Sequence, residues 1–499
     1  MFHDNNSDSF KAKKINITFQ WLFENFSRYF LPPPKEILEL CPDSFFDLHL
    51  GLVQEALPPL GGAEIERMAW LYQFYFDVEK KSIAASMKNG VKIDAQSLPK
   101  VTQLFTPQWI IEFLLHNALS QVFGSQDLSY LILENSSDKK IPIHNFTLCD
   151  PACGAGLIIL KALESLVQIY VKQGLNREEI LKFLPQQLWG CDIDSSAIWL
   201  TKLLLALKLR AIFKKQDNAP KLSTIDFPHI LNIRALRLQN LDAIAHQFSE
   251  ISGIEYQRLK KELSLYHEAD TLGSLIIPKL SLNELKALKA ISNKLEISKQ
   301  ERAILSQILE QAEFLVKQHS LVVTNPPYLG SRNMGKELCV WAKMHYPNAK
   351  ADLFSLFMAR CIEMTKDGAF MSLIVMQSWM FLSSFSDLRE ELKSKANLRA
   401  LALLDTLVMG IAFGTSAAIW EKSPKQTQKT RFCYIPYSDI ENGRPIHWPP
   451  SISQHDLNDF NAIHGSPLLF RLQKPFIEIF SHQKKLHSFC PIRQGLATT

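Results

Sequence analysis

Four residues in SLVVTNPPYLGSRNM could do chemistry on an aromatic amine: Asn325, Pro326, Pro327 and Tyr328. They follow a run of apolar and β-branched residues, Leu321 to Thr324, that reads as a strand. Two prolines cannot continue a central ladder, so the chain must leave the sheet there. An exocyclic amine such as that of adenine is a poor nucleophile, because its lone pair is delocalised into the ring. Acceptors that draw its hydrogens out of conjugation restore reactivity, and the Asn325 Oδ1 and the Pro326 carbonyl are of the right kind. Tyr328 can stack on a base taken out of a duplex. Methyl transfer to such an amine needs alignment more than a strong base.

A second set of residues fits a nucleotide-like cofactor. TLCDPACGAGLIILKALESL runs from an apolar strand through Asp150, Pro151, Gly154 and Gly156 into a helix. Glycines let a ligand approach the backbone, and a helix start offers unpaired N–H groups. S-adenosylmethionine has no pyrophosphate, and its ammonium favours an acidic residue at the strand end, a role open to Asp150. About forty residues on, WGCDIDSSAIWLTKL ends the next apolar strand with Asp192, a carboxylate suited to two ribose hydroxyls. After the third strand, RLQNLDAI offers Asn240 or Asp242 to the adenine edge of the cofactor, and the pattern does not separate them. Upstream, Phe105, Thr106 and Pro107 precede an apolar helix. Thr106 there reads either as an N-cap or as part of the cofactor site.

These motifs need elements to hold them. Seven apolar runs, NFTLCD, LWGCDID, ILNIRAL, SLVVTNPP, AFMSLIVMQ, LRALALLD and SAAIWE, alternate with longer helical segments and predict a doubly wound, mostly parallel α/β sheet. In that architecture ligands bind beyond the carboxyl ends of the strands, so the Asn325 motif would share a crevice with Asp150 and Asp192. Residues 1–100 read as a helical region, with Ile65, Met68, Leu71, Tyr72 and Tyr75 at helical spacing and a break at Pro32, Pro33 and Pro34. Residues 101–430 form the predicted catalytic domain. Within it, 245–317 reads as an inserted helical hairpin carrying Leu288, Ile291 and Leu295, then Ile304, Leu305, Ile308, Ala312 and Leu315. Residues 431–499 read as a linker and the start of an incomplete target-recognition domain.

The sequence, 499 residues with a formal charge of +5, is long enough for several cores and permits a polyanionic partner without demanding one. Its eight cysteines show no CxxC pattern, so neither a structural zinc nor any other metal is expected. No signal-like or membrane-spanning stretch stands out, so a cytoplasmic protein is expected.

Taken in order, FTP, DPACGAG, DID and NPPY resemble the gamma-class N6-adenine DNA methyltransferases. IERMAWLYQFYF, TQLFTPQWI, NPPYLGSRNM, KADLFSLFMARC and IRQGLATT are similar to the PglX-type methyltransferases of BREX phage-defence systems, from about residue 60 to the end. The resemblance implies a seven-stranded Rossmann-like methyltransferase sheet and S-adenosylmethionine as cofactor. Its substrate would be double-stranded DNA with a flipped adenine, and its partners other phage-defence proteins. It implies cofactor contacts at Thr106, Asp150, Gly154, Gly156 and Asp192, and amine activation by Asn325, Pro326 and Tyr328. Phe413 in GIAFGTSAAIW matches the family's second base-stacking aromatic, although apolar residues of this kind usually fill a core. Asp352 in ADLFSLF resembles a pocket-lining position, or else an N-cap.

Other functions remain in view. NPPY also serves enzymes that methylate a glutamine amide or a guanine, but those chains are compact. Enzymes acting on cytosine N4 usually carry Ser where Asn325 stands. Pro42-Asp43 with Glu79-Lys80-Lys81 formally spells a nuclease-like PD…ExK pattern, although a charged helix face is the plainer reading of its second part. The ending inside an IRQGLAT-like strand suggests a chain shortened at its C-terminus, with Phe489, Ile492 and Leu496 exposed and sequence-specific methylation lost. A binding module without catalysis is the last alternative.

Overall fold

The computed structural model describes residues 65–66, 68–69, 72, 77–124, 128–134, 141–213, 227–423 and 429–482. The expectations placed on Leu71, Tyr75, the Pro32 to Pro34 run, Pro42-Asp43, and Phe489, Ile492 and Leu496 lie outside these residues. The chain divides into two compact units. The first comprises Met1–Thr106, Ile141–Pro327 and Arg332–Leu338, and the second Pro107–Lys140, Tyr328–Ser331 and Cys339–Thr499.

In the first unit, strands β1 (Leu148–Asp150), β2 (Leu188–Asp192), β3 (His229–Asn232) and β4 (His319–Thr324) lie in the order β4-β1-β2-β3, and every pairing is parallel. Their residues are short and mostly buried, as a sheet covered by helices on both faces requires. Helices Leu157–Lys172 and Arg177–Gln187 connect β1 to β2, and Ser195–Phe213 connects β2 to β3. A capping box fixes the start of Arg177–Gln187: the Asn176 side chain accepts the Glu179 N–H, and the Glu179 carboxylate accepts the Asn176 N–H. Because β2 lies on one side of β1 and β4 on the other, the strand order reverses at β1. That reversal opens the crevice in which such sheets take ligands.

The segment between β3 and β4 is more divided than the hairpin read from the sequence. It holds five α-helices: Leu241–Ser252, Tyr256–Ser264, Ala269–Leu272, Leu282–Ile291 and Lys299–Val316. The apolar spacing identified one face of the last two, where Leu288, Leu305, Ile308, Ala312 and Leu315 are buried. The breaks between helices depend on polar groups instead. Buried Glu262 accepts the N–H groups of Lys279 and Leu280, which ties a turn to a helix without any periodic signal.

In the second unit, β5 (Thr365–Met376), β6 (Asn397–Leu404), β7 (Thr415–Glu421), β8 (Thr430–Ile435) and the strand Ile452–His455 lie in the order Ile452–His455, β8, β6, β7, β5. β7 runs antiparallel to both neighbours, while β6 and β8 are parallel. The last two strands exceed the seven that the apolar runs predicted. They fall after Glu421, where TRFCYI interleaves polar and apolar residues and gives a weaker signal than a fully buried strand. Helix Gln108–Phe123 is apolar nearly all round and buried along almost its whole length. No described helix is long and apolar enough to cross a membrane.

Candidate functional site

The first unit gathers two strand-end carboxylates around one glycine turn. β1 ends in Asp150, 1% exposed, whose Oδ1 accepts the Ala152 N–H at 3.1 Å. The turn then folds onto β2: Cys153 donates its N–H to the Cys191 carbonyl at 3.0 Å, and Gly154 donates its N–H to Asp192 Oδ2 at 2.9 Å. Thr201 Oγ1 donates to the Gly154 carbonyl at 2.8 Å and holds the turn from the following helix. Gly156, with φ of +79°, begins the Leu157–Lys172 helix, and a Cβ there would lie 2.6 Å from Thr201 Cγ2. Only glycine satisfies both the left-handed backbone and that close approach.

Burial sets the electrostatics of this turn. Desolvation pushes the Asp150 carboxyl up to about 7, helped by the Asp192 charge and opposed by the Ala152 N–H. Desolvation likewise raises Asp192 to about 6, against the N–H groups of Asp194 and Gly154. Two carboxylates of this kind favour a cationic or hydroxyl-bearing ligand, which would lower the cost of their ionisation. The Pro151 carbonyl is already occupied, accepting from Ser274 Oγ at 2.7 Å and from Cys191 Sγ at 3.5 Å.

Asn240 and Asp242, the two residues expected to reach the cofactor's adenine edge, lie at the start of the helix Leu241–Ser252 that follows β3. Asn240 is the N-cap of Leu241–Ser252, its side chain makes no capping bond, and its N–H donates to Glu301 Oε1 at 2.9 Å. Asp242 is exposed and bound to Lys260 at 2.6 Å and to the Tyr256 hydroxyl, which hold its carboxyl below the usual range. The residue that pairs with Asp192 in register is Asn232, at the end of β3. Its Nδ2 donates to the Asp192 and Ile193 carbonyls at 3.1 and 3.2 Å. Its signal in the sequence was a polar residue at the carboxyl end of a short apolar run. Asp194, two residues after Asp192, accepts the Tyr72 hydroxyl at 2.8 Å and Gln103 Nε2 at 3.3 Å. It also caps the Ser195–Phe213 helix through Ser196 and Ala197.

β4 ends at Thr324, and Asn325 turns out of the sheet toward the loop before Pro107. Asn325 Nδ2 donates to Thr106 Oγ1 at 2.9 Å and to the Leu104 carbonyl at 3.3 Å. A carbonyl can only accept, so the NH2 end of the amide must face Leu104, and Oδ1 is turned the other way. Thr106 is buried and makes no side-chain cap to the helix at Gln108–Phe123, whose N-cap is Pro107. Its hydroxyl oxygen accepts from Asn325 Nδ2. Pro326 is buried and Pro327 half-buried.

Tyr328, the next residue in the chain, belongs to the second unit. Its hydroxyl donates to the Ile374 carbonyl at 3.0 Å, and its ring meets Phe354 edge-on at 6.0 Å and Phe413 at 6.3 Å. Burial and the Asp352 charge both hold the phenol well above its ordinary range, so it is neutral. Phe413, for which the bare sequence favours a core position, is 38% exposed. Asp352 is an N-cap: its Oδ1 accepts from Phe354 at 3.2 Å and from Leu329 at 3.0 Å, which fixes the backbone just after Tyr328.

Glu79 lies on the helix Asp77–Lys88 and pairs with Lys100 at 3.6 Å, the ordinary behaviour of an exposed helix face. Among the described residues no cluster of His, Cys, Asp or Glu could hold a metal ion.

Comparison with known proteins places these features in a family context. The chain is 28% identical over 486 residues to the adenine-specific methyltransferase PglX of Lacticaseibacillus casei (strain Zhang), covering 88% of this chain and 39% of that protein. It is also 28% identical over 486 residues to the adenine-specific methyltransferase BrxX of Escherichia coli O9:H4 (strain HS), covering 86% of this chain and 39% of that one. The chain thus spans well under half the length of both relatives. A solved complex of DrdV with DNA is 12% identical and overlaps 76% of this chain and 32% of its own, with a TM-score of 0.44. Residues 186–406 match the Eco57I restriction-modification methylase family, and over most of its length the chain is similar to the PglX and BrxX adenine-specific methyltransferases.

Proposed function

We propose that this chain transfers a methyl group from S-adenosylmethionine to the N6 amine of adenine in DNA, within a phage-defence or restriction-modification setting. The observation that carries the reading is the place of Asn325, directly after the carboxyl end of β4, with its Nδ2 held by Thr106 Oγ1 and the Leu104 carbonyl. The cofactor fits the first unit's turn. Asp150 is of the right charge for an ammonium and Asp192 for ribose hydroxyls, and the Gly156 backbone leaves no room for a side chain.

When bound, the cofactor supplies an electrophilic methyl group on a sulfonium. The chain's residues do the rest. Asn325 Oδ1 and the Pro326 carbonyl accept the two N6 hydrogens and return the lone pair to nitrogen. The new bond forms between N6 and the methyl carbon as the carbon–sulfur bond breaks, and the surplus N6 proton passes to solvent. Tyr328 and Phe413 offer the extruded base aromatic faces on which to stack. The family model's description, a restriction-modification methylase, and the relatives' names, adenine-specific methyltransferases, support DNA as the adenine carrier.

The test is transfer of labelled methyl from S-adenosylmethionine to adenine-containing DNA, with the product nucleoside identified by mass spectrometry. N6-methyladenine formed by the wild type and lost in Asn325→Ala is the expected result. Label recovered on cytosine, guanine or protein would overturn it.

A further inference from the structure

The transfer chemistry leaves one amide at the carboxyl end of β5 without a task. Gln377 follows β5 directly, and its N–H donates to the Gly414 carbonyl at 3.1 Å, one step beyond the Met376–Thr415 pair of the β5–β7 ladder. Its side chain is half-buried. Among the described residues that side chain has no hydrogen-bond partner, and it does not cap the short helix Ser378–Phe381 that begins beside it. A Cβ added to Gly414 would lie 2.7 Å from each of Gln377 Cδ, Nε2 and Oε1, so the amide lies against the Gly414 backbone. Gly414 is the residue after Phe413. Three residues before Gln377, the Ile374 carbonyl receives the Tyr328 hydroxyl. The second unit thus sets two aromatic rings, one of them exposed, beside an amide with donor and acceptor capacity unspent.

We propose that Gln377 reads the ring edge of the target base and is a specificity-determining residue. This rests on the adenine reading above and adds a contact to it. Besides its exocyclic amine, the polar atoms of adenine are ring nitrogens, which only accept. Gln377 Nε2 donates to one of them, N1, N3 or N7. An amide is the side chain best suited to adenine, and it has little competing solvation to lose in a half-buried position. Gly414 has its own part in this. Any side chain there displaces the amide, and because the displaced atoms end a flexible side chain, the substitution moves Gln377 without unfolding the sheet.

Single-turnover methyl transfer to short mismatched duplexes tests the assignment, with adenine, 1-deazaadenine, 3-deazaadenine or 7-deazaadenine at the mismatch. Wild type, Gln377→Ala and Gly414→Ala are compared after thermal melts show that each is folded. The wild type is expected to slow roughly tenfold or more on one analogue. Gln377→Ala should be slower on adenine and indifferent to that analogue, and Gly414→Ala should behave the same way. A wild type that transfers to adenine and treats every analogue equally overturns the assignment alone, as does a Gln377→Ala variant that keeps the wild-type discrimination. A wild type that methylates adenine in none of the duplexes overturns the adenine reading and this contact with it.

Discussion

The role proposed for Asn325 depends on how its amide is held, and two neighbours take part in that. Thr106 Oγ1 and the Leu104 carbonyl both take its NH2 hydrogens, so the loop before Pro107 sets the direction of the amide oxygen. Asn325→Ala should therefore reduce single-turnover transfer more than tenfold, since it removes a bond that strengthens as the amine becomes nucleophilic, while cofactor affinity stays near wild type. Thr106→Val should lower the transfer rate several-fold, and Thr106→Ser should recover most of it, because only the hydroxyl is needed to hold the amide. A Thr106→Val variant that changed cofactor affinity and left the rate alone would return Thr106 to the cofactor site. Asp192→Ala should weaken S-adenosylmethionine binding by roughly ten- to a hundredfold in calorimetric titration, about 1.5 to 3 kcal/mol for a lost charged acceptor. It also releases the Gly154 N–H, so part of the loss comes from the turn itself.

Among the elements, the glycine turn between β1 and the Leu157–Lys172 helix is the most constrained. Gly156→Ala combines a left-handed φ of +79° with a contact 2.6 Å from Thr201. About 1 to 3 kcal/mol of destabilisation is expected from backbone strain alone, read as a lower urea midpoint with an unchanged slope. The Tyr72–Asp194 bond ties residues before the sheet to the loop after β2. Tyr72→Phe should cost about 0.5 to 1.5 kcal/mol in the same measurement. Neither effect could be placed from spacing, because Thr201 and Asp194 act through contacts made 47 and 122 residues away in the chain.

For the whole molecule, the raised carboxyls make stability depend on pH. Asp150 and Asp192 titrate near 7 and 6 in the folded chain, against about 4 when unfolded. The folded chain therefore holds these protons more tightly. Their favourable contribution is fully present below pH about 4 and is lost as pH rises through 6 and 7. Without cofactor, the urea midpoint attributable to these groups should fall between pH 5 and 7.5, and Asp150→Asn should flatten that fall. Affinity for S-adenosylmethionine should change in the opposite direction, rising across the same interval as the carboxylates ionise to meet the ammonium and ribose. A flat affinity profile from pH 5.5 to 7.5 would remove these carboxylates from the cofactor's contacts.

The motifs were legible in the sequence because each is local. An apolar strand followed at once by Asp150, Asp192 or Asn325 specifies a strand end by composition alone, and the buried parallel strands β1, β2 and β4 fall where the apolar runs placed them. Distance along the chain limited the rest. Glu301 accepts the backbone N–H of Asn240, Lys260 pairs with Asp242, and Asn232 meets the backbone of β2, none of which a local pattern announces. The strand Thr430–Ile435 and the polar breaks within the β3–β4 segment carry weak periodic signals, because they depend on partners distant in the chain, as Leu280 does on Glu262. Residue type and immediate neighbours determined which atoms could accept, donate or stack. Which way the Asn325 amide faces, whether Phe413 is core or surface, and that Gln377 lies against Gly414 were decided only in the tertiary structure, since each depends on contacts between segments far apart in the chain.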